Sequence, residues 1–387
     1  MKELDIKIMA VYDLTSRHTT QALSSKIKVA FLRDYDNSNI EHIISAIGIQ
    51  NSEFASRIVL DYEHPDYIVF ANGALASIEY LEKLKYYLYT CRDSIFIFLG
   101  EECTDPDLNV FDYAAVWNSD LKCGDRITRN IPYIYNSIDS VLHENDLTRR
   151  NAAKLLENIT GFCSFIYSHA SEPRDSFFQL LSQYKRVEAS GKRFNNTGTQ
   201  STRGAANWYA LSIDMKKSCK FSISMENATY KGYTSEKLIT SLMAHTVPIY
   251  WGDPEVSELI NPKAFINCHD YDSFDEVIER VKEIDSNDDL WLDMVTQPWQ
   301  TQEQQAKTLQ IVKARYEFMH NILSQDIRTA RRRPVGSWGN ISRRYFTGYT
   351  GVMPPLYLRV LRKIWRRASN FLSENAKSAI KKFLHMD

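Results

Sequence analysis

The stretch from Cys219 to Cys268, reading CKFSISMENATYKGYTSEKLITSLMAHTVPIYWGDPEVSELINPKAFINC, restricts what this chain can fold into more than any other part of it. Phe221 to Met225 alternates apolar with small polar residues, the period of a strand, and runs directly into Glu226 and Asn227. After a loop with Gly232 as its pliant point, Thr234 and Ser235 are natural N-caps for a helix carrying Leu238, Leu242 and Met243. That helix stops near His245, because Pro248 cannot continue it. VPIYWG is then an apolar run bounded by Pro and Gly, too short for a helix, and reads as a buried parallel strand. Strand, helix and strand in that order imply a parallel α/β layer.

In such a layer ligands sit beyond the carboxyl ends of the strands, where helix N-termini also point their unpaired N–H groups. Glu226, Asn227, Tyr233, Glu236 and Lys237 all fall at that rim. Lys237 carries the wrong charge for the positive end of a helix dipole, a small cost that a bound anion would remove. A Glu-Lys pair in a first turn is ordinarily just solvated; the neighbouring MEN and PIYWG segments set this one apart.

Upstream, IKVAFL, DYIVFANG and SIFIFLGEE read as strands, with a helical stretch of Leu75, Ile78, Leu81, Leu84 and Leu88 before the last. A first domain over residues 1–150 follows, of Rossmann-like α/β type. Asn136 to Gly161, polar and then helical, reads as a crossover. GFCSFIYSHASEPRDSFFQLLSQY opens a second domain, residues 151–330, with a strand and a helix starting near Pro173. Phe177, Phe178, Leu181 and Tyr184 lie on the buried side of that helix, and Arg174 in its first turn. Arg193 and Arg203 flank a polar loop. From Asp275 the chain turns helical and mixed-charge, and Arg331 to Pro334 reads as a linker.

Length suits two domains: 387 residues with 44% hydrophobic content can bury two cores. The net charge of -1 conceals an asymmetry, because the chain from Arg328 onward carries 14 Lys and Arg against only Glu374 and Asp387. Within residues 331–387, Val360, Leu361, Ile364, Trp365, Phe371 and Leu372 form an apolar stripe opposite Arg359, Arg362, Lys363, Arg366 and Arg367. Such a basic amphipathic helix suits an anionic membrane surface, or else docks on the acidic body of the protein itself. A stripe this apolar fits nucleic acid poorly.

The string MENATYKGYTSEKL, followed by AHTVPIYWGDPEV, NPKAFINCHDYDSFDE and LWLDM, resembles the donor-binding half of the alpha-1,3-fucosyltransferase family, its bacterial members in particular. The family reads FEN and then YVTEK; here Met225 replaces the Phe, Thr234 the Val and Ser235 the Thr. LGEECTDPDLNVFDYAAVW resembles the family's TGEN motif and the FDY stretch beyond it, with Leu99 in place of the usual Thr. The resemblance implies a GT-B fold, two Rossmann-like domains facing a cleft, here with a C-terminal basic amphipathic tail.

It implies also a reaction: inverting transfer of L-fucose from GDP-fucose to an N-acetyllactosamine-type glycan containing N-acetylglucosamine. Glu101 falls on the family's proposed general base, and a carboxylate at a strand's end can take the acceptor hydroxyl's proton as it attacks. Arg174 matches an arginine that contacts the donor diphosphate, a geometry guanidinium suits. Lys237 is implied beside the leaving phosphates, Glu236 on sugar hydroxyls, and Glu226, Asn227 and Tyr233 in the shaping of the nucleotide-sugar pocket. Asp112 and Tyr113 lie in the matching motif as structural or functional residues.

No cofactor is expected. Asp270-Tyr271-Asp272 is the D-x-D pattern with which other glycosyltransferases hold a metal, but three residues recur by chance in a chain this acidic, and the histidines lack ligand spacing. The six cysteines show no paired spacing, and there is no secretory signal or apolar run of membrane-spanning length. The expectation is a bacterial cytoplasmic enzyme on the inner face of the cytoplasmic membrane. Two other readings stay open: a related transferase with another nucleotide sugar or a 1,4 linkage, and a non-catalytic glycan-binding module.

Overall fold

The structure, a computed structural model, describes residues 26–33, 39–50, 52–71, 78–136, 147–198 and 207–334. Arg203 and the whole basic stripe beyond Pro334 lie outside the described residues. The chain divides into two compact units. One comprises the residues up to Val116, Leu121–Asn130 and those from Lys313 onward; the other comprises Trp117–Asp120 and Ile131–Val312. The expected cuts at 150 and 330 differ from this division, since the chain returns to the first unit inside the helix Gln302–Ser324.

The first unit is built on a parallel sheet in the order β2-β1-β3-β4-β5-β6. Its strands are β1 (Ile27–Leu32), β2 (Ile58–Leu60), β3 (Tyr67–Ala71), β4 (Ile95–Leu99), β5 (Tyr113–Val116) and β6 (Ile127–Arg129). Every residue of β3 and β4 is buried, as the near-continuous apolar runs YIVFA and IFIFL require of strands covered on both faces. The pleat sends alternate residues to separate cores. Val69, Ile97 and Leu99 pack with Ile43 and Ile47 of the helix Ile40–Ile47 and with Met319 and Ile322. Ile68, Phe70, Phe96 and Phe98 pack on the other side with Leu84 and Leu88 of the helix Ile78–Thr90.

The second sheet runs β11-β10-β9-β7-β8, again all parallel. It comprises β7 (Gly161–Phe165), β8 (Val187–Ala189), β9 (Cys219–Met225), β10 (Val247–Trp251) and β11 (Ile266–Asn267). Phe221, Ile223 and Met225 of β9 face a core shared with Phe177, Leu181 and Trp291. Ser222 and Ser224, on its other face, are equally buried, beneath the helix Glu236–Met243. The alternation along β9 is thus one apolar face and one hydroxyl-lined face, both buried. Tyr184, expected on the buried side of its helix, is 39% exposed, because it closes the helix Glu172–Tyr184 beyond the last buried turn.

Arg331 to Arg333 is not a linker. Asp112 accepts from the backbone N–H groups of Arg332 and Arg333, each at 2.8 Å, and forms an ion pair with the Arg333 guanidinium. Arg333 also donates to the carbonyls of Arg92 and Ser94 and stacks over Phe96. Tyr113 donates its hydroxyl to the Ala330 carbonyl at 2.6 Å. A run of three arginines reads as solvated; here fixed acceptors at one buried carboxylate override that pattern.

Candidate functional site

In the second unit, β9 ends at Glu226, whose side chain is fully buried. Its carboxylate accepts from Ser235 N and Ser235 Oγ, both at 2.7 Å, and from Lys237 Nζ at 3.0 Å. Ser235 is the N-cap of the helix Glu236–Met243, as expected, and accepts from Lys237 N with its side chain. Burial alone would discharge Lys237, but Glu226 and then Glu236 outweigh it and hold the ammonium charged. Burial likewise pushes the Glu226 carboxyl up, and Lys237 opposes this. Glu226 and Glu236 therefore offset the unfavourable placement of the Lys237 ammonium at the positive end of the helix dipole.

Two glycines permit this arrangement. A Cβ on Gly252, which follows β10, would lie 2.4 Å from Glu226 Cγ and 2.7 Å from Glu226 Cβ, and the backbone there has φ +155. Only a residue without a side chain leaves room for the buried carboxylate. At Gly232 (φ +78) a Cβ would meet the Trp117 carbonyl at 2.2 Å. The loop is tied by Asp253, which accepts from Gly232 N at 2.8 Å and from Thr234 Oγ1 at 3.0 Å. Asp253 escaped the sequence reading, although an Asp directly after a glycine at a strand's end was the available signal.

Several expected rim residues are not at an open rim. Tyr233 is 2% exposed, its ring edge-on to Trp117, so it holds the loop rather than presenting a face. Arg174 is 1% exposed: its guanidinium lies over Tyr167 at 4.0 Å and donates to the His169 carbonyl at 2.7 Å and to Asn227 Oδ1 at 3.0 Å. Elements packing on the first turn of its helix, invisible to a local reading, bury it. Exposed polar groups at the end of β9 belong instead to Asn227 and, in part, to Glu236 and Lys237. Arg193 is engaged in an ion pair with Asp175 at 2.7 Å.

Beneath the helix Glu236–Met243 lies a second cation, Lys216, that nothing in the sequence marks. It donates to Thr240 Oγ1 at 2.6 Å, Ser241 Oγ at 3.0 Å and the Lys237 carbonyl at 3.2 Å. Ser241 continues the network to Ser222 and Ser224, and Ser222 to Ser164. Burial pushes the Lys216 amine down to about 7, with Glu236 the largest opposing influence.

In the first unit, Glu101 follows β4 and Gly100, whose carbonyl accepts from Asn130 Nδ2 at 3.0 Å. Its carboxylate is gripped by Arg33, Nε to Oε2 at 3.2 Å and Nη2 to Oε1 at 3.0 Å. Arg33, just past β1, was not singled out from the sequence. Burial raises the Glu101 carboxyl above its ordinary value, against the pull of Arg33. Asp270 accepts from Asn267 Nδ2 at 2.9 Å, and the described residues hold no group of three His, Cys, Asp or Glu that could hold a metal ion.

Comparison with known proteins bears on the second unit above all. Over 228 residues the chain is 28% identical to the alpha-(1,3)-fucosyltransferase FucT of Helicobacter pylori, covering 51% of this chain and 46% of that one. It is 29% identical over 121 residues to a 4-galactosyl-N-acetylglucosaminide 3-alpha-L-fucosyltransferase of Bos taurus, covering 31% of each. The chain thus spans less than half the length of these relatives. The fold is similar to the crystal structure of an alpha1,3-fucosyltransferase, with TM-score 0.58 at 22% identity, covering 84% of this chain and 97% of the other. The same neighbour crystallised with GDP-fucose gives a TM-score of 0.55. The two parallel-sheet units accord with the expected GT-B type. Residues 158–332, which contain Arg174, Glu226, Asn227, Tyr233, Glu236 and Lys237, match the model of glycosyltransferase family 10 (fucosyltransferase), C-terminal part.

Proposed function

We propose that this chain is an inverting alpha-1,3-fucosyltransferase that moves L-fucose from GDP-fucose to a hydroxyl of an N-acetylglucosamine-containing glycan. The observation that carries this reading is the Lys237 ammonium, kept charged at a helix N-terminus by a buried carboxylate inside the family-matched segment. An ammonium has three donors. Glu226 and Ser235 take two, at 3.0 and 2.9 Å, while Glu236 stands off at 3.6 Å. A diphosphate bound at the third donor gains charge as the glycosidic bond breaks, so the contact strengthens in the transition state. Asn227, oriented by Arg174, and Glu236 offer hydrogen bonds to the sugar or ribose. Glu101 accepts the proton of the attacking hydroxyl, and direct displacement inverts the anomeric carbon.

The Lys237 ammonium and the helix N-terminus supply the positive charge a metal would, so transfer needs none. The decisive assay is GDP release from GDP-fucose with and without N-acetyllactosamine, in EDTA, for the wild type and Glu101→Gln. Acceptor-dependent release that survives EDTA and falls ~10²- to 10⁴-fold in the variant is the expected outcome. Release only with manganese would transfer the chemistry to Asp270 and Asp272. GDP-fucose binding without turnover would point to another acceptor, and no binding to another donor or to a glycan-binding module. The basic tail holds the enzyme at the cytoplasmic face of an anionic bacterial membrane. Ending the chain near Pro354 is expected to leave turnover intact and abolish sedimentation with anionic vesicles.

A further inference from the structure

Glu101 does not act alone in the first unit. Its carboxylate faces a guanidinium fork with both oxygens engaged, at 3.2 and 3.0 Å, and the other end of that guanidinium is fixed as well. Arg33 Nη1 lies 2.6 Å from His42 Nε2, on the helix Ile40–Ile47 capped by Asn39. An arginine has no acceptor, so at this contact His42 must be the acceptor, neutral with its proton on Nδ1. Three elements thus converge: the end of β1 brings Arg33, the helix brings His42, and the end of β4 brings Glu101.

We propose that Arg33, held from behind by neutral His42, is the positioning residue of the transfer reaction, fixing the plane of the Glu101 carboxylate that receives the acceptor's proton. The proposal rests on the reading of Glu101 as general base.

A carboxylate offers about four lone-pair directions, and a bidentate arginine occupies two of them. Without the clamp two things change together. The carboxylate gains a torsional freedom that the reaction must then remove, and it loses the nearest charge opposing its burial. The other charges acting on Glu101 are Glu102, which raises its pKa, and Arg315, which lowers it; both rank below Arg33 and burial. His42 itself is lowered by partial burial and then by Arg33, which suits its role as acceptor.

The test is the pH profile of kcat/KM for Arg33→Met, Arg33→Lys and Glu101→Gln in the full chain, read by acceptor-dependent GDP release. For Arg33→Met the acid limb is expected to move up by about one pH unit or more. Turnover should recover partly at high pH, with the KM for GDP-fucose unchanged. Arg33→Lys keeps a charge without the fork, so its limb should move less while kcat stays low. An acid limb that stays at the wild-type position in both Arg33 variants, with Glu101→Gln inactive, would overturn the proposal alone. Full activity in Glu101→Gln would overturn the assignment of the base and this proposal with it. A merely structural Arg33 would lower activity evenly at every pH, which also counts against the proposal.

Discussion

Each unit places a glutamate just beyond the carboxyl end of a central parallel strand, and each pairs it with a cation, yet the two pairs are built for different ends. Glu226 is fully buried and takes three donors from Ser235 and Lys237. Glu101 keeps 16% of its side-chain surface and Arg33 22%. Strand-end placement therefore decides only that a carboxylate stands at the functional edge of a sheet. Depth and the number of fixed donors separate a carboxylate locked to its neighbours from one that keeps accessible surface.

The sharpest way to break this comparison is to neutralise each carboxylate in turn. Glu226→Gln leaves Lys237 charged and buried beside Glu236 alone, and a loss of about 3–5 kcal/mol is expected in urea unfolding. Glu101→Gln removes a partly wet charge and should shift the same curve by no more than about 1 kcal/mol while turnover collapses. Equal stability losses in the two variants would erase the distinction.

A second test concerns Lys216, the buried amine under the helix Glu236–Met243. Its folded pKa of about 7 lies below the ordinary lysine value of 10.5, so between these limits the unfolded chain binds a proton that the folded chain does not. Stability should therefore rise with pH across that window and stay level below it. Relative to Lys216→Met, which cannot titrate, the wild type should gain on the order of 2 kcal/mol between pH 7 and 9 in chemical denaturation. A constant difference across that range would show that the ammonium stays charged in its oxygen cage.

The smallest expected effect sharpens the picture at the helix mouth. Ser235→Ala removes the N-cap and one of the three donors to Glu226, and a loss of about 1–2 kcal/mol is expected. Because Lys237 Nζ also touches Ser235 Oγ, the KM for GDP-fucose should rise with it. A change in stability with no change in KM would confine Ser235 to capping.

The sequence disclosed those parts of the molecule that local chemistry sets. β1, β3, β4, β7, β9 and β10 are short apolar runs with polar or Gly punctuation, and the cap at Ser235 and the first-turn Pro173 are signals within a few residues. The edge strands β2, β8 and β11 have two or three residues each, too few for any period to show. Depth was illegible for a different reason. Whether Glu226 and Arg174 are dry depends on which elements lie over them, and nothing in MEN or EPRD records that. Arg33 shows the same limit: its partner is 68 residues away, two strands across the sheet. Arg333 and Asp112 are separated by 221.

Gly252 leaves a mark on how this chain can change over generations. The volume its missing side chain vacates is occupied by the Glu226 side chain, so the two positions share one space. A side chain at 252 is harmful while Glu226 stands, and a shorter residue at 226 strands Lys237 while 252 remains bare. Each single step is blocked by the other residue. Among descendants of this sequence, the pair should therefore persist together or be replaced together.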